Sequence, residues 1–168
     1  MLDRALKQKG DFGMKDLFPD INEYGWLHFK LFLKPMAKQG FKFTKEGNTY
    51  TPAEQREMQE EMSRQISLQL KQQKPDHDLF DCPLEARMIY AFTPPKSFGK
   101  RKYKKMQAGM KFYKSTKPDL WDNLNKIPAD AMEGVVYVND SRAVRVTLEK
   151  IYAVSDYIEI WIRKIPTT

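Results

Sequence analysis

Asp119, Asp122 and Asp140, with Lys126 among them, are the residues of this chain whose types and spacing best suit chemistry. They lie in Lys117-Pro118-Asp119-Leu120-Trp121-Asp122-Asn123-Leu124-Asn125-Lys126 and, further on, Val138-Asn139-Asp140-Ser141. Carboxylate oxygens of this kind can hold Mg²⁺, which makes a nucleophile from water and offsets charge building on a phosphorus under attack. Lys126 follows Asp122 by one helical turn, on the same face, where an ammonium could meet a phosphate or stabilise the charge of a transition state. Asp130 lies one turn further along and reads as a partner for Lys126 rather than a metal ligand. Just upstream, from Lys96 to Lys117, stand nine Lys or Arg and no Asp or Glu. The chain carries a net charge of +7 from 29 basic and 22 acidic residues, so outside that segment acid slightly exceeds base. A cationic approach that ends at a carboxylate cluster suits a protein that grips a phosphate backbone and cuts it. Each residue also has a plainer reading: Asp122 as an N-cap, Asp140 as a turn residue, Lys126 and the basic run as solvated helix faces.

With 168 residues, 41% hydrophobic and 12% aromatic, the chain is long and apolar enough for one domain with a true core, not a disordered basic tail. A lone cysteine, Cys82, excludes a disulfide framework and a cysteine zinc site. His28 and His77 are too few for a histidine-rich metal centre. No apolar run reaches the roughly 20 residues of a membrane span, and the N-terminus lacks the apolar stretch of a secretory signal. The expected setting is therefore soluble, intracellular and cytoplasmic, with no membrane partner. A sequence pI near 9.3 from a clustered surplus points to nucleic acid.

The elements that must position these residues follow from periodicity. Residues 1–25 read as an N-terminal extension and 26–168 as the domain. Leu27, Phe29, Leu31 and Leu33 alternate with His28, Lys30 and Phe32, the pattern of a strand. Structural duty is the expectation for His28. Phe41 and Phe43 suggest a hairpin return, with a turn at Glu46-Gly47-Asn48. Thr51-Pro52-Ala53-Glu54 resembles a capping box opening a helix, whose stripe of Met58, Met62, Ile66 and Leu70 runs until Lys74-Pro75. Leu84 to Phe92 is a buried strand ended by Pro94-Pro95. A helix is expected from Ser97 to Met110, another from about Asp122 to Met132 with a kink at Pro128, then strands at Val144–Tyr152 and Tyr157–Ile162. The fold class is α+β, a single domain with a mixed, mainly antiparallel sheet and packed helices.

The run from Lys117 to Lys126, followed by Asp130-Ala131-Met132-Glu133-Gly134 and by Asn139-Asp140-Ser141, resembles the signature of the RusA family of Holliday-junction resolvases. In that family, often carried by phages and prophages, the pattern is Pro-Asp-x-Asp-Asn-x-x-Lys, then Asp-Ala-Leu/Met-x-Gly, then Asp-Asp-x-Gln. Tyr50-Thr51-Pro52, Pro94-Pro95-Lys96-Ser97-Phe98 and Glu149-Lys150 also fit, so the resemblance spans roughly residues 26–162.

The resemblance implies a homodimer that binds four-way DNA junctions and nicks two opposed strands with Mg²⁺ or Mn²⁺, in a bacterial host cell. Carried over by position, Asp119, Asp122 and Asp140 are the metal ligands and Lys126 the catalytic lysine. Lys100, Arg101, Lys102, Lys104, Lys105, Lys111, Lys114 and Lys117 would contact DNA phosphates, giving affinity rather than sequence choice. Tyr103, Phe112 and Tyr113, interleaved with them, read as loop packing or as stacking partners for an unpaired base. Three departures stand out: Leu120-Trp121 fills a place where the family has one residue, Asn139 replaces the first paired aspartate, and Arg142 stands where glutamine is usual. A bulge or an early helical turn must absorb the extra residue for Asp119 to keep its direction. Two further readings stay open: a non-catalytic branched-DNA-binding relative, and an RNA-binding protein using the same basic patch.

Overall fold

The computed structural model describes residues 25–40, 42–43 and 49–166, residues 42, 43, 49, 50 and 122 by backbone alone. The extension 1–24, Phe41 and the Glu46-Gly47-Asn48 turn lie outside the described residues. In chain order the elements are β1 (Leu27–Leu31), β2 (Lys42–Phe43), β3 (Thr49–Tyr50), α1 (Ala53–Gln73), β4 (Leu84–Phe92), α2 (Lys100–Gln107), β5 (Phe112–Tyr113), α3 (Lys126–Met132), β6 (Ala143–Tyr152) and β7 (Tyr157–Lys164).

Five strands make one sheet in the order β1-β7-β4-β6-β5, with β2 and β3 a separate antiparallel pair. Only β4 and β6 run parallel, with Leu84 beside Ala143 at one end and Phe92 beside Tyr152 at the other. The sheet is thus mixed and mainly antiparallel, and the domain is α+β as the periodicity implies. Alternation divides its faces. Ala86, Met88 and Tyr90 of β4 join Phe29, Ile158 and Ile160 and the helix residues Met62, Ile66, Ile127 and Met132 in the larger core cluster. The opposite face gathers Ile89, Ala91, Ile151, Tyr157 and Trp161 in a smaller one. There His28 stacks on Trp161 and bonds Glu159 at 2.8 Å, a structural duty.

α1 carries the predicted stripe inward, with Met62, Ile66 and Leu70 buried and Met58 partly so. It also seals the outer edge of β1. The side-chain amide of Gln69 accepts from Lys30 N at 3.0 Å and donates to Lys30 O at 2.9 Å; Gln73 does the same at His28, at 3.0 and 2.6 Å. Residues four apart on a helix advance about 6 Å, close to the two-residue repeat of a strand, so the two amides stand in for a missing strand.

Three local expectations are corrected. The capping box does not form: α1 starts at Ala53 without a side-chain cap, and Pro52 O accepts from Gln55 N and Arg56 N instead. The basic helix is shorter than expected, a 3₁₀ turn at Lys96–Phe98 followed by α2, because Gly99 at φ +84° separates them. The Asp122–Met132 helix is two pieces, a π-turn over Leu120–Leu124 and then α3. Pro128 falls at the third position of α3, where no intrahelical donor is needed, so it costs no hydrogen bond.

Candidate active site

The segment that bears the motif is the connection from β4 to β6. Its first half emerges at the Phe92–Tyr152 end of the sheet. Phe98 packs edge-on against Phe112 at 5.3 Å and against Tyr152 at 5.1 Å. α2 buries only Met106, so Lys100, Arg101, Lys102, Lys104 and Lys105 all face solvent. Lys117 is exposed as well. Lys111 and Lys114 are committed within the fold. The first pairs with Glu149, and the second donates to Thr116 O at 3.3 Å and to Lys117 O. Phe112 is packing, as expected, whereas Tyr113 is largely exposed.

The π-turn answers the extra residue between Asp119 and Asp122. Leu124 N donates to Asp119 O at 3.3 Å, a bond spanning five residues rather than four. Leu124 is buried and Leu120 packs against the core, while Trp121 is extruded, 86% exposed. Lys38 N holds the far side of the turn through Asn123 O at 3.0 Å. Lys150 holds the near side, donating to Thr116 O and Pro118 O, each at 2.6 Å. Burial and the Lys114 ammonium make Lys150 give up its proton more readily than an ordinary lysine, an effect that Asp119 opposes.

Further along, Lys126 is clamped. Its Nζ donates to Asp140 Oδ2 at 2.8 Å and pairs with Asp130 Oδ1 at 2.9 Å. The hydrogen bonds it donates to these carboxylates, Asp140 first, hold its proton well beyond the usual lysine range. Asp130 also accepts from Lys38 Nζ at 2.9 Å. Burial works against its charge, yet Lys38 and Lys126 together keep it below the usual carboxylate range. The role read for Asp130, partner to Lys126, is the geometry found.

Asp140 opens a 3₁₀ turn, Asp140–Arg142, at the start of β6. Asn139 Oδ1 accepts from Ser141 N at 3.0 Å, so the asparagine in the place of the paired aspartate caps this turn. Arg142 bridges to Asp81 at 2.6 Å. The loop before Asp140 is fixed by Tyr137, which donates to Ala129 O at 2.6 Å, and by Phe80, whose N–H and carbonyl bond Val136 and Val138. Gly134 sits at φ +73°, a conformation that a side chain would strain, as this tight turn after α3 requires. Burial, then Asp140, Glu133 and Asp130, push the Tyr137 hydroxyl far above its ordinary range and keep it a neutral donor.

The structure therefore brings Lys126, Asp130 and Asp140 into contact. Asp119 lies at the other end of the π-turn, exposed and beside Lys150, and the Asp122 side chain lies outside the described residues. Among the described residues no three His, Cys, Asp or Glu side chains form a group that could hold a metal. The candidate donors are all carboxylate oxygens, a chemistry that fits Mg²⁺. Lys38 and Lys150, which brace the site, were not singled out as site residues in the sequence. Lys38 bonds Asp130 across 92 positions with no local signal, while Lys150 stands in the Glu149-Lys150 pair already noted.

Among the described residues no helix is long and apolar enough to cross a membrane. Residues 33–163 match the family described as Endodeoxyribonuclease RusA. No protein of curated function matches the chain.

Proposed function

Because the chain belongs to the RusA endodeoxyribonuclease family, we propose that it is a metal-dependent, structure-selective nuclease that resolves four-way DNA junctions by paired nicks. The observation that carries this reading is the Lys126 ammonium, held between Asp130 and Asp140 on a helix that a π-turn anchors to the core. A permanently charged, prepositioned ammonium is suited to meet the negative charge that grows on a phosphate under attack. Asp130 and Lys38 would fix its position, and Asp140 would face the reacting phosphate with it. Asp122 and Asp140, with Asp119 in the first motif position, would hold Mg²⁺ or Mn²⁺. Such an ion supplies an activated water and charge neutralisation when bound. The exposed lysines of α2 would hold duplex arms through phosphates. Two cuts on opposed strands would take two copies, and a homodimer is part of this reading.

A second reading, a branched-DNA-binding relative that does not cut, draws on Asn139, whose oxygen is spent on Ser141, and on the extra residue between Asp119 and Asp122. One experiment separates the two: nicking of a fixed four-way junction and of a matched linear duplex with Mg²⁺ or Mn²⁺, for wild type, Asp122→Asn and Asp140→Asn. Paired nicks in the junction alone, lost in both variants while binding persists, support the nuclease. Tight, salt-dependent binding without nicks supports the second reading. Variants that cut normally would overturn the site.

A further inference from the structure

Trp121 is the anomaly of this molecule. The other two tryptophans belong to the smaller core cluster, Trp161 at 2% exposure and Trp26 packed against it. Trp121 stands 86% exposed, two residues after Asp119 and five before Lys126. A large apolar ring left in water forgoes the stabilisation of burial, so its exposure has no stabilising rationale in the fold. It is not a loose side chain on a loose loop either. Its flanking residues Leu120 and Leu124 pack inward, the five-residue hydrogen bond Leu124 N to Asp119 O closes the turn, and Lys38 N bonds Asn123 O. The π-turn thus pins the backbone and presents the one extra residue outward, within the segment between Asp119 and Asp122. Exposed Lys117 stands four residues before it on the chain, and solvent-facing Tyr113 eight residues before it.

An exposed indole on a fixed mount, in the same chain segment as Asp119, Lys126 and the exposed Lys117, has the chemistry of a stacking platform for a nucleobase. Base stacking on aromatics is tolerant of sequence and needs a base whose face is free, which a continuous duplex does not offer. We propose that Trp121 stacks on a base unstacked at the branch point, and so makes this site selective for branched over linear DNA. The inference rests on the nuclease reading above and names the substrate feature that the same site recognises.

The test is binding without metal, in EDTA, followed by tryptophan fluorescence and by 2-aminopurine placed at the branch point of a four-way junction. The proteins are wild type, Trp121→Ala and Trp121→Phe, checked for an unchanged melting temperature. The expected result is quenching of wild-type emission by the junction and not by linear duplex. Trp121→Ala should bind the junction at least tenfold more weakly, bind duplex as before, and lose the 2-aminopurine response; Trp121→Phe should keep most of both. Equal junction affinity in Trp121→Ala, or an equal loss on junction and duplex, overturns the stacking role while leaving the nuclease reading intact. A change of assembly in Trp121→Ala by sedimentation would make Trp121 an interface residue and overturn it too. Wild type that neither binds nor nicks junctions would overturn both.

Discussion

Lys126 owes its place to three partners that arrive from different parts of the chain: Asp130 from its own helix, Asp140 from the turn before β6, and Lys38 acting through Asp130. The first is a helical neighbour and was legible in the spacing; the second was legible only through the motif. The third was not, because nothing local in Lys34-Pro35-Met36-Ala37-Lys38 foretells a contact so far down the chain. If Lys126 acts as a fixed charge, Lys126→Met should slow junction nicking by about 10²- to 10³-fold with junction binding retained. Lys126→Arg should recover part of that loss. Single-turnover nicking at saturating enzyme is the measurement, and wild-type rates in Lys126→Met would remove this residue from the mechanism.

At the scale of elements, the strands and α1 were readable because each buries one face at a clear period, and β4 was foreseen to the residue. Where periodicity failed, hydrogen bonds outside the pattern were responsible. The helix expected at Asp122–Met132 is broken into two pieces by a bond that skips an extra residue, and hydropathy carries no trace of such a bond. The sealing of β1 by Gln69 and Gln73 was equally hidden, since glutamine reads as a solvated helix residue. Each amide makes two bonds to an edge strand, so Gln69→Ala with Gln73→Ala should cost about 2 kcal/mol or more in urea unfolding. The freed edge should also raise concentration-dependent self-association, read by light scattering. An unchanged midpoint would show that water replaces the amides without loss.

For the whole molecule, the sheet face opposite α1 holds an electrostatic keystone. Glu85, 1% exposed, receives Arg87, Arg145 and Arg163 from three adjacent strands at 3.0, 3.4 and 2.9 Å. Burial opposes its charge, but the guanidinium hydrogen bonds win and hold its carboxyl below the usual range. Its folded pKa being the lower, its contribution is complete above the ordinary glutamate range near 4.3 and is lost as pH falls through the folded value. Glu85→Gln should therefore destabilise by about 3 kcal/mol near neutral pH, with the gap to wild type closing in acid. Thermal melts from pH 7 down to pH 3 measure both, and a gap that does not close would assign the cost to packing. Charge arithmetic showed where the basic surplus lay along the chain, but not how this acid centre ties the strands together.

The parallel pairing of β4 with β6 has a metric consequence. The connection between them leaves at Phe92 and returns at Ala143, and those residues lie at opposite ends of the paired strands. Phe98, just before α2, packs on Tyr152, and Asp140, which holds Lys126, stands just before β6, so these two anchors are set apart by about the length of the strand. Eight steps of 3.3 Å give about 26 Å. At 3.4 Å per base pair, that is a ruler of about eight base pairs. Under the function proposed above, with α2 on phosphates and Lys126 at the cut, a duplex arm spanning the two would need about that length, a quantity that truncated junction arms would measure in a binding assay.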